Sequence, residues 1–325
     1  MRRLLTDLAA ARDAWDRFLF SAADPRPLGA IRIAAGLLLL WSLGVYGLDL
    51  RAFLGSDGFA DPEAVRAQMG PGSWSLWLWV PDNLLWPAWG LGMAVAACLT
   101  VGLFSRVTAP MAWAIAVSTA RRSPVTVFGF DQVLAMLLLY MAVAGASGQA
   151  FSVDRVLARR RGRTLPSSTV SANLSLRLIQ VHLCVIYAMS GLAKLRGNAW
   201  WEGRSVGMLL ANSEFRPGDM SALLAYPYLI NLASHAAVAV ELSYAALVWP
   251  RRVRPYVVAT AMSMHVGIAA TLGLYEFALA MIAANLSFVS GSLLAGRAAP
   301  AVELREFAPP TPPAAYVSPR PRNRR

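Results

Sequence analysis

Charged residues are scarce in this chain of 325 residues. Only 15% of the residues are Asp, Glu, Lys or Arg, whereas 57% are hydrophobic and the mean hydropathy is +0.48. A soluble domain carries about 25% charged residues, so this chain has too few to cover a water-facing surface. The shortage argues against an ordinary soluble domain and favours a chain that lies in a lipid bilayer.

Cysteine is nearly absent as well. Cys98 and Cys184 are the two cysteines, and each falls inside an apolar run, with no CxxC motif. This argues against a disulfide framework and against a cysteine-based metal site. Small apolar side chains that pack between helices are the better interpretation of both.

Apolar runs of about 20 residues recur along the chain, which is the length needed to cross a hydrocarbon core of ~30 Å. We predict an all-α polytopic membrane helix bundle with about eight transmembrane helices. The third span is short and Arg121 and Arg122 follow it on the outer side, so spans 3 and 4 could instead form a re-entrant pair. The predicted spans are 28–49, 83–104, 107–120, 130–150, 173–194, 224–249, 256–273 and 277–296.

Two segments flank the predicted transmembrane domain, which covers residues 28–296. Residues 1–27 contain apolar residues at helical spacing among five arginines and four aspartates, with no central apolar stretch. This pattern predicts an amphipathic helix on the cytoplasmic membrane surface and no cleavable signal peptide. Residues 297–325 are rich in proline and arginine, which predicts a disordered cytoplasmic tail.

The distribution of arginine predicts the orientation. The net charge is +12, and most basic residues lie in the N-terminal segment, the tail and alternate loops between spans. Because such residues stay on the cytoplasmic side, both termini are predicted to be cytoplasmic in a multi-pass cell-membrane protein. Basic residues spread between spans do not form a groove, so we expect the lipid bilayer as a partner and no nucleic acid.

Lysine occurs once, at Lys194, against 29 arginines. Arginine cannot lose its proton in a protein, whereas a desolvated lysine can and then acts as a base. Lys194 closes the fifth span at its predicted outer end, and Tyr187 and Ser190 share its helix face. A catalytic base and a lysine that merely extends to the outer headgroups are both consistent with this position.

Other charges inside or near the spans suggest two further interactions. Arg32 and Glu241 lie toward the cytoplasmic side of spans 1 and 6, where a structural ion pair between helices is the plain interpretation. Asp49, Asp131 and Glu276 lie near the outer ends of spans, at the predicted level of the lysine, so one of them is a candidate partner for it.

Three histidines, His182, His235 and His265, fall in three different predicted spans. A histidine within a span usually forms a hydrogen bond with a neighbouring helix, while three together could bind a haem or a metal ion. Their spacing matches no ligand motif, so we predict no metal site.

The string QVHLCVIYAMSGLAKLRGNAWWEGRSVGMLL (180–210) resembles the signature of the HTTM family, the transmembrane part related to vitamin K-dependent gamma-carboxylase. The resemblance rests on Tyr187, Gly191, Lys194-Leu195, Trp200 or Trp201, and Gly203. Weaker matches follow the same order along residues 10–295: LGAIRIAAGLLLL, FSVDR, VAVELSYAALVW and FALAMIAANLSF.

The resemblance implies a function for the lysine. In the carboxylase this lysine is the base that acts with reduced vitamin K on the lumenal side, so the resemblance implies that Lys194 deprotonates a quinol at the outer face. Tyr187, Trp200 and His265 are expected to bind this lipid-soluble small molecule, and a quinone is the cofactor that the resemblance suggests.

Three departures from the carboxylase shape the prediction. Ala193-Lys194 replaces Lys-Lys, FGFD (128–131) replaces a segment with histidine, and the large lumenal domain that holds a protein substrate has no counterpart. Carboxylation of a protein is therefore not predicted. The alternative to an enzyme is a non-enzymatic accessory for maturation or export of a secreted peptide, as in SdpB-type relatives. A transporter ranks third, because no inverted repeat is visible.

Overall fold

The computed structural model of the chain describes residues 2–212, 214, 215 and 218–294. Helices dominate this part, and no β-strand occurs among these residues. In the described part of the chain, nine helices longer than ten residues form the framework. They are α1 (Arg2–Phe20), α2 (Arg26–Leu48), α3 (Leu85–Val101), α4 (Ser105–Arg122), α5 (Gly129–Ala144), α6 (Val170–Lys194), α7 (Pro227–Leu247), α8 (Arg254–Leu272) and α9 (Tyr275–Asn285).

Short helices connect these nine. Seven are α-helical, namely Leu50–Leu54, Pro62–Gln68, Val153–Arg160, Asn198–Trp201, Ser205–Ala211, Ser221–Leu224 and Gly291–Leu294. Five are 3₁₀ turns, namely Leu76–Trp79, Asp82–Leu84, Pro124–Thr126, Ser147–Gln149 and Leu286–Phe288.

Proline and glycine mark the helix ends. α7 begins at Pro227, a position where proline's missing N–H costs nothing and its fixed φ favours the helix. α3, α5 and α8 end at Gly102, Gly145 and Gly273, all in the left-handed conformation that glycine adopts without strain. The sequence therefore encodes where several helices stop.

Within the residues that the structure describes, five helical segments are long and apolar enough to cross a membrane: Arg26–Leu48, Asp82–Val101, Val170–Lys194, Pro227–Leu247 and Arg254–Leu272. Two shorter apolar segments, Gly129–Ala144 and Tyr275–Phe288, correspond to the fourth and eighth predicted spans. The helical fold is thus confirmed for the described residues and these segments are candidate membrane spans, while the count of eight and the orientation of the termini stay predictions. The predicted tail, 297–325, lies outside the described residues.

α2 and α9 lie near the centre of the bundle. Half of the most apolar stretch of α2 is buried, against 22% for α7 and 17% for α8. α9 packs on α2, α5, α6 and α8, and small side chains such as Ala280 and Ala284 bury its surface there. α7 and α8 lie at the periphery, and large apolar side chains on their outer faces, Leu232 and Val266 among them, stay exposed, as expected for helices that face lipid.

Candidate functional site

A cavity of about 560 Å³ opens between α6, α7, α8, the start of α9 and the short helix Ser205–Ala211. Apolar side chains, such as Ile230, Met264 and Phe277, form most of its wall. Polar groups are few, and the predicted site residues are among them. Lys194, Tyr187, Trp200, His265 and Glu241 all line this one cavity.

Lys194 makes an ion pair with Glu241. The Lys194 Nζ donates a hydrogen bond to Glu241 Oε1 at 2.9 Å and another to Ser190 Oγ at 2.8 Å. Oε2 of Glu241 lies 2.8 Å from the same nitrogen but outside hydrogen-bond geometry. The two side chains are only 20% and 10% exposed, so water screens the pair weakly.

Close packing of α6 on α7 brings the pair together. An added Cβ at Gly191 would lie 2.8 Å from Leu242 Cδ2 and 3.1 Å from its backbone nitrogen. Glycine therefore allows a helix approach that any larger residue would prevent. Lys194 lies one turn beyond this contact, and Glu241 is the immediate neighbour of Leu242 on α7.

Trp200 covers the lysine from the segment that follows α6. Its ring centroid lies 5.1 Å from Lys194 Nζ, within the range of a cation–π contact. The neighbouring Trp201 holds this segment in place. Its Nε1 donates to Leu195 O at 2.7 Å, and its backbone carbonyl contacts His235 Nε2 at 3.2 Å. The ring over the ammonium is thus held by fixed backbone contacts.

A hydrogen-bonded cluster of side chains lies behind Tyr187 and His265, the polar residues of the cavity wall that do not contact Lys194. Tyr187 OH and His265 Nε2 are 2.9 Å apart. Asn285 Nδ2 donates to Tyr187 OH at 3.1 Å and to Met281 O at 2.9 Å. Tyr244 OH donates to Asn285 Oδ1 at 2.7 Å, and its ring stacks on that of Tyr187 with 4.0 Å between centroids. The cluster fixes the Tyr187 hydroxyl and the His265 ring beside the cavity.

The predicted ion pair between Arg32 and Glu241 is wrong. Arg32 Nη1 donates to Ser147 O at 3.2 Å and Nη2 to Phe151 O at 2.6 Å, so backbone carbonyls, and not Glu241, accept from its guanidinium. Glu241 instead reaches Lys194, because the crossing of α6 and α7 brings the end of one helix level with the second half of the other.

None of the three acidic residues predicted to lie near the outer ends of spans binds the lysine. Asp49 accepts a hydrogen bond from Ala52 N, and Asp131 accepts one from Phe128 N. Glu276 accepts one from Trp41 Nε1 at 2.7 Å. The expectation that one of them is the counterion of Lys194 is therefore also wrong.

The three histidines lie apart in the structure. His182 contacts Tyr140, His235 contacts the carbonyls of Asn231 and Trp201, and His265 contacts Tyr187. Within the described residues, no group of three or more His, Cys, Asp and Glu side chains is placed to hold a metal ion. The arrangement favours hydrogen bonding between helices over a shared ligand set.

Sequence reasoning missed two residues of the site, Tyr244 and Asn285. Asn285 is 0% exposed and contacts Tyr187, Tyr244 and the carbonyl of Met281. Its signal was an uncharged amide inside the apolar run FALAMIAANLSF, where a buried polar group needs partners.

One comparison with known proteins identifies the family of the chain. Neither a characterised protein nor a solved structure matches the chain significantly. The family model of the HTTM domain matches residues 20–292, which includes every residue of the cavity described above. The chain is therefore a member of the HTTM domain family of integral membrane proteins.

Proposed function

We propose that the cavity binds a lipid-soluble quinol or a similar hydroxylated ring, and that Lys194 removes the proton of its hydroxyl group. One observation supports this proposal above the others. The only lysine of the chain, its carboxylate partner Glu241 and three polar or aromatic side chains line a single apolar cavity.

The dimensions of the cavity suit such a ligand. About 560 Å³ lies within the range of roughly 300–1,000 Å³ typical of small-molecule sites. Apolar walls favour an oil-soluble ring and its tail, while the few polar groups orient the hydroxyl. A water-soluble substrate would lose its hydration there without compensation.

The ion pair can supply the base. Lys194 Nζ donates a hydrogen bond to Glu241 Oε1 at 2.9 Å, and transfer of the proton along it gives the neutral form of the pair, an amine facing a carboxylic acid. In that form the ammonium proton rests on Glu241 and the amine is free. The substrate's O–H bond then breaks, an N–H bond forms at Nζ, and the substrate anion lies beside the new ammonium.

Three side chains would position the substrate. The Tyr187 hydroxyl and the His265 ring face each other at 2.9 Å and provide hydrogen-bonding groups beside the cavity. Trp200 lies over the lysine and limits the entry of water. Restricted water strengthens the electrostatic interactions that stabilise the anion.

The same proposal includes the placement of the chain in the membrane. Eight spans with both termini cytoplasmic agree with the excess of arginine in the N-terminal segment and in alternate loops. α4, α5 and α9 would then be the three crossings that are too short or too polar to qualify by themselves. Helix α1 would lie on the cytoplasmic surface of the cell membrane, with Leu8 and Trp15 exposed to lipid.

Replacement of Lys194 by Arg tests the function. The protein in nanodiscs is supplied with a short-chain menaquinol and dioxygen, and oxygen uptake is followed as quinol is oxidised to quinone with formation of hydrogen peroxide. Because arginine keeps the charge and cannot lose it, K194R should lose at least about 100-fold in turnover, the usual contribution of a general base. Binding of the product quinone should be retained.

Arg196→Lys is the matched control, since Arg196 is exposed two residues away and lies outside the cavity wall. R196K should keep wild-type turnover. Equal turnover in K194R and the wild type would remove Lys194 from the mechanism. A wild-type protein that neither binds quinone nor oxidises quinol would instead favour an accessory role in maturation of a secreted peptide.

A further inference from the structure

A second cavity, of about 220 Å³, lies between α2, the short helix Leu50–Leu54 and the first turns of α5 and α9. Five aromatic side chains line it: Trp41, Tyr46, Phe53, Phe128 and Phe130. Tyr46 and Phe53 meet edge to face, with ring centroids 5.2 Å apart. This cavity is separate from the lysine site, although α9 contributes to the wall of both.

Two carboxylates line the same cavity. Asp131 Oδ2 accepts a hydrogen bond from Phe128 N at 3.0 Å, and Glu276 Oε1 accepts one from Trp41 Nε1 at 2.7 Å. Both donors are neutral. In the part of the chain that the structure describes, neither carboxylate belongs to a salt bridge.

The charges at this cavity do not cancel. Asp131 and Glu276 lie in the first turns of α5 and α9, whose N-termini each contribute about half a unit of positive charge. Two carboxylates against two such helix ends leave about one unit of negative charge. This net negative charge favours the binding of one monovalent cation in the cavity.

We propose that this cavity binds a small organic cation, an alkylammonium or quaternary ammonium group. Aromatic rings attract such cations through their negative faces, and a cage of rings with a carboxylate is the usual arrangement for them. A divalent metal ion fits less well, because within the described residues no group of three or more His, Cys, Asp and Glu side chains is placed to hold one. The lining residues supply two carboxylates, two hydroxyls from Tyr46 and Thr126, and Ser42.

The size of the cavity restricts the ligand to a head group. A volume of about 220 Å³ is below the roughly 300–1,000 Å³ of sites that enclose a drug-sized molecule. Trp41 and Phe128, 60% and 43% exposed, leave the cavity open at its edge. A free amine can enter there, as can the head group of a phospholipid whose tails stay outside.

Titration with choline tests the proposal. The protein is placed in phosphatidylglycerol nanodiscs, which contain no amine head group, and the heat of choline binding is measured by calorimetry. The uncharged isostere 3,3-dimethylbutan-1-ol serves as the control ligand. Choline should bind at least tenfold more tightly than the isostere. Equal affinities, or no binding of choline, would overturn the proposal.

The double variant D131N/E276Q isolates the charges. Asn and Gln keep the oxygens that accept from Phe128 N and Trp41 Nε1, so the fold is retained, and the melting temperature verifies this. Choline affinity should fall at least tenfold, whereas E63Q, which removes an exposed carboxylate from Pro62–Gln68, should leave it unchanged. Wild-type choline binding by the double variant would refute the role of the carboxylates.

Nanodiscs of phosphatidylcholine identify the source of the cation. Competition from the lipid, seen as loss of the choline titration in these discs only, would support the head group as the ligand. Equal titrations in both lipids would support a free amine. Quinol turnover is measured in parallel, because this cavity is independent of the proposed reaction and D131N/E276Q should keep that turnover.

Discussion

Gly191 faces Leu242 so closely that the backbone nitrogen of Leu242 would lie 3.1 Å from an added Cβ. The contact sets the distance between α6 and α7, and with it the distance between Lys194 and Glu241. The ion pair of the site therefore depends on Gly191, a residue that has no side chain.

Gly191→Ala should push α6 and α7 apart and weaken the ion pair. Overpacking of this kind costs about 1–3 kcal/mol, and quinol turnover should fall together with stability. The matched control is Gly44→Ala, because an added Cβ at Gly44 meets nothing within 4 Å and helical alanine is favoured over glycine by roughly 0.5–1 kcal/mol. Unfolding in detergent and oxygen uptake measure both effects; unchanged turnover in G191A would contradict this role for the contact.

The sequence singled out Lys194 but assigned its partner Glu241 to Arg32. Its uniqueness among 29 arginines was a chemical signal that needs no structure. The prediction placed Glu241 toward the cytoplasmic side of its span, the same side as Arg32. The crossing at Gly191 places it beside the lysine instead, and a crossing angle is not encoded in hydropathy.

Glu241→Gln should show whether the pair also stabilises the fold. Loss of one partner leaves a buried charge without compensation, which costs roughly 3–5 kcal/mol. Glu202→Gln breaks the Arg204–Glu202 pair, whose side chains are 66% and 49% exposed, so its effect should stay within about 1 kcal/mol. Equal losses in E241Q and E202Q would show that the Lys194–Glu241 pair contributes no more than a surface pair.

A double replacement separates stability from chemistry. Lys194→Met with Glu241→Leu removes both charges, and buried pairs replaced by apolar residues are often neutral or stabilising. The double variant should therefore regain most of the stability that E241Q loses and still show no quinol turnover. Turnover in this variant would exclude the pair from catalysis, whatever its effect on folding.

Arg122 shows why loop charges gave an ambiguous span count. The orientation pattern treated Arg121 and Arg122 as an outer pair that opposes the bias toward the cytoplasm. In the structure Arg122 is buried, and its guanidinium donates to Leu54 O at 3.2 Å, to Ala60 O at 2.7 Å and to Gly55 O. It fixes the loop after α2, a structural role that a count of arginines cannot distinguish from an orientation signal.

Asn285→Leu should disrupt the cluster behind the cavity. The replacement is similar in size but leaves the Tyr244 hydroxyl without its acceptor and removes the donor to Tyr187, at about 1–3 kcal/mol for each unsatisfied group. Tyr244→Phe in the same background should recover part of the loss. Detergent unfolding measures both, and additive effects of N285L and Y244F would show that the two side chains act independently. The exposed Tyr256 provides the control Y256F, which should match the wild type.

A comparison of alanine variants at Gly102 and Gly162 measures how strongly Arg32 anchors the loop after α5. Both glycines are left-handed, with φ of +70° and +71°, so alanine costs about 1–2 kcal/mol at either for the backbone. An added Cβ at Gly162 meets nothing within 4 Å, whereas at Gly102 it would lie 1.8 Å from Arg32 Nη1.

The difference between the two alanine variants should report the contacts of Arg32 together with a clash against Ser152 Cβ, which would lie 2.5 Å from the added Cβ, and the Arg32→Met background separates the two. G102A must displace the guanidinium from the carbonyls of Ser147 and Phe151, and hydrogen bonds to a charged group contribute about 1.5–3 kcal/mol each. G102A should thus be less stable than G162A by a few kcal/mol, and the excess should shrink in an Arg32→Met background, where no guanidinium remains to be displaced. Equal losses in G102A and G162A would mean that Arg32 adjusts freely and does not anchor the loop after α5.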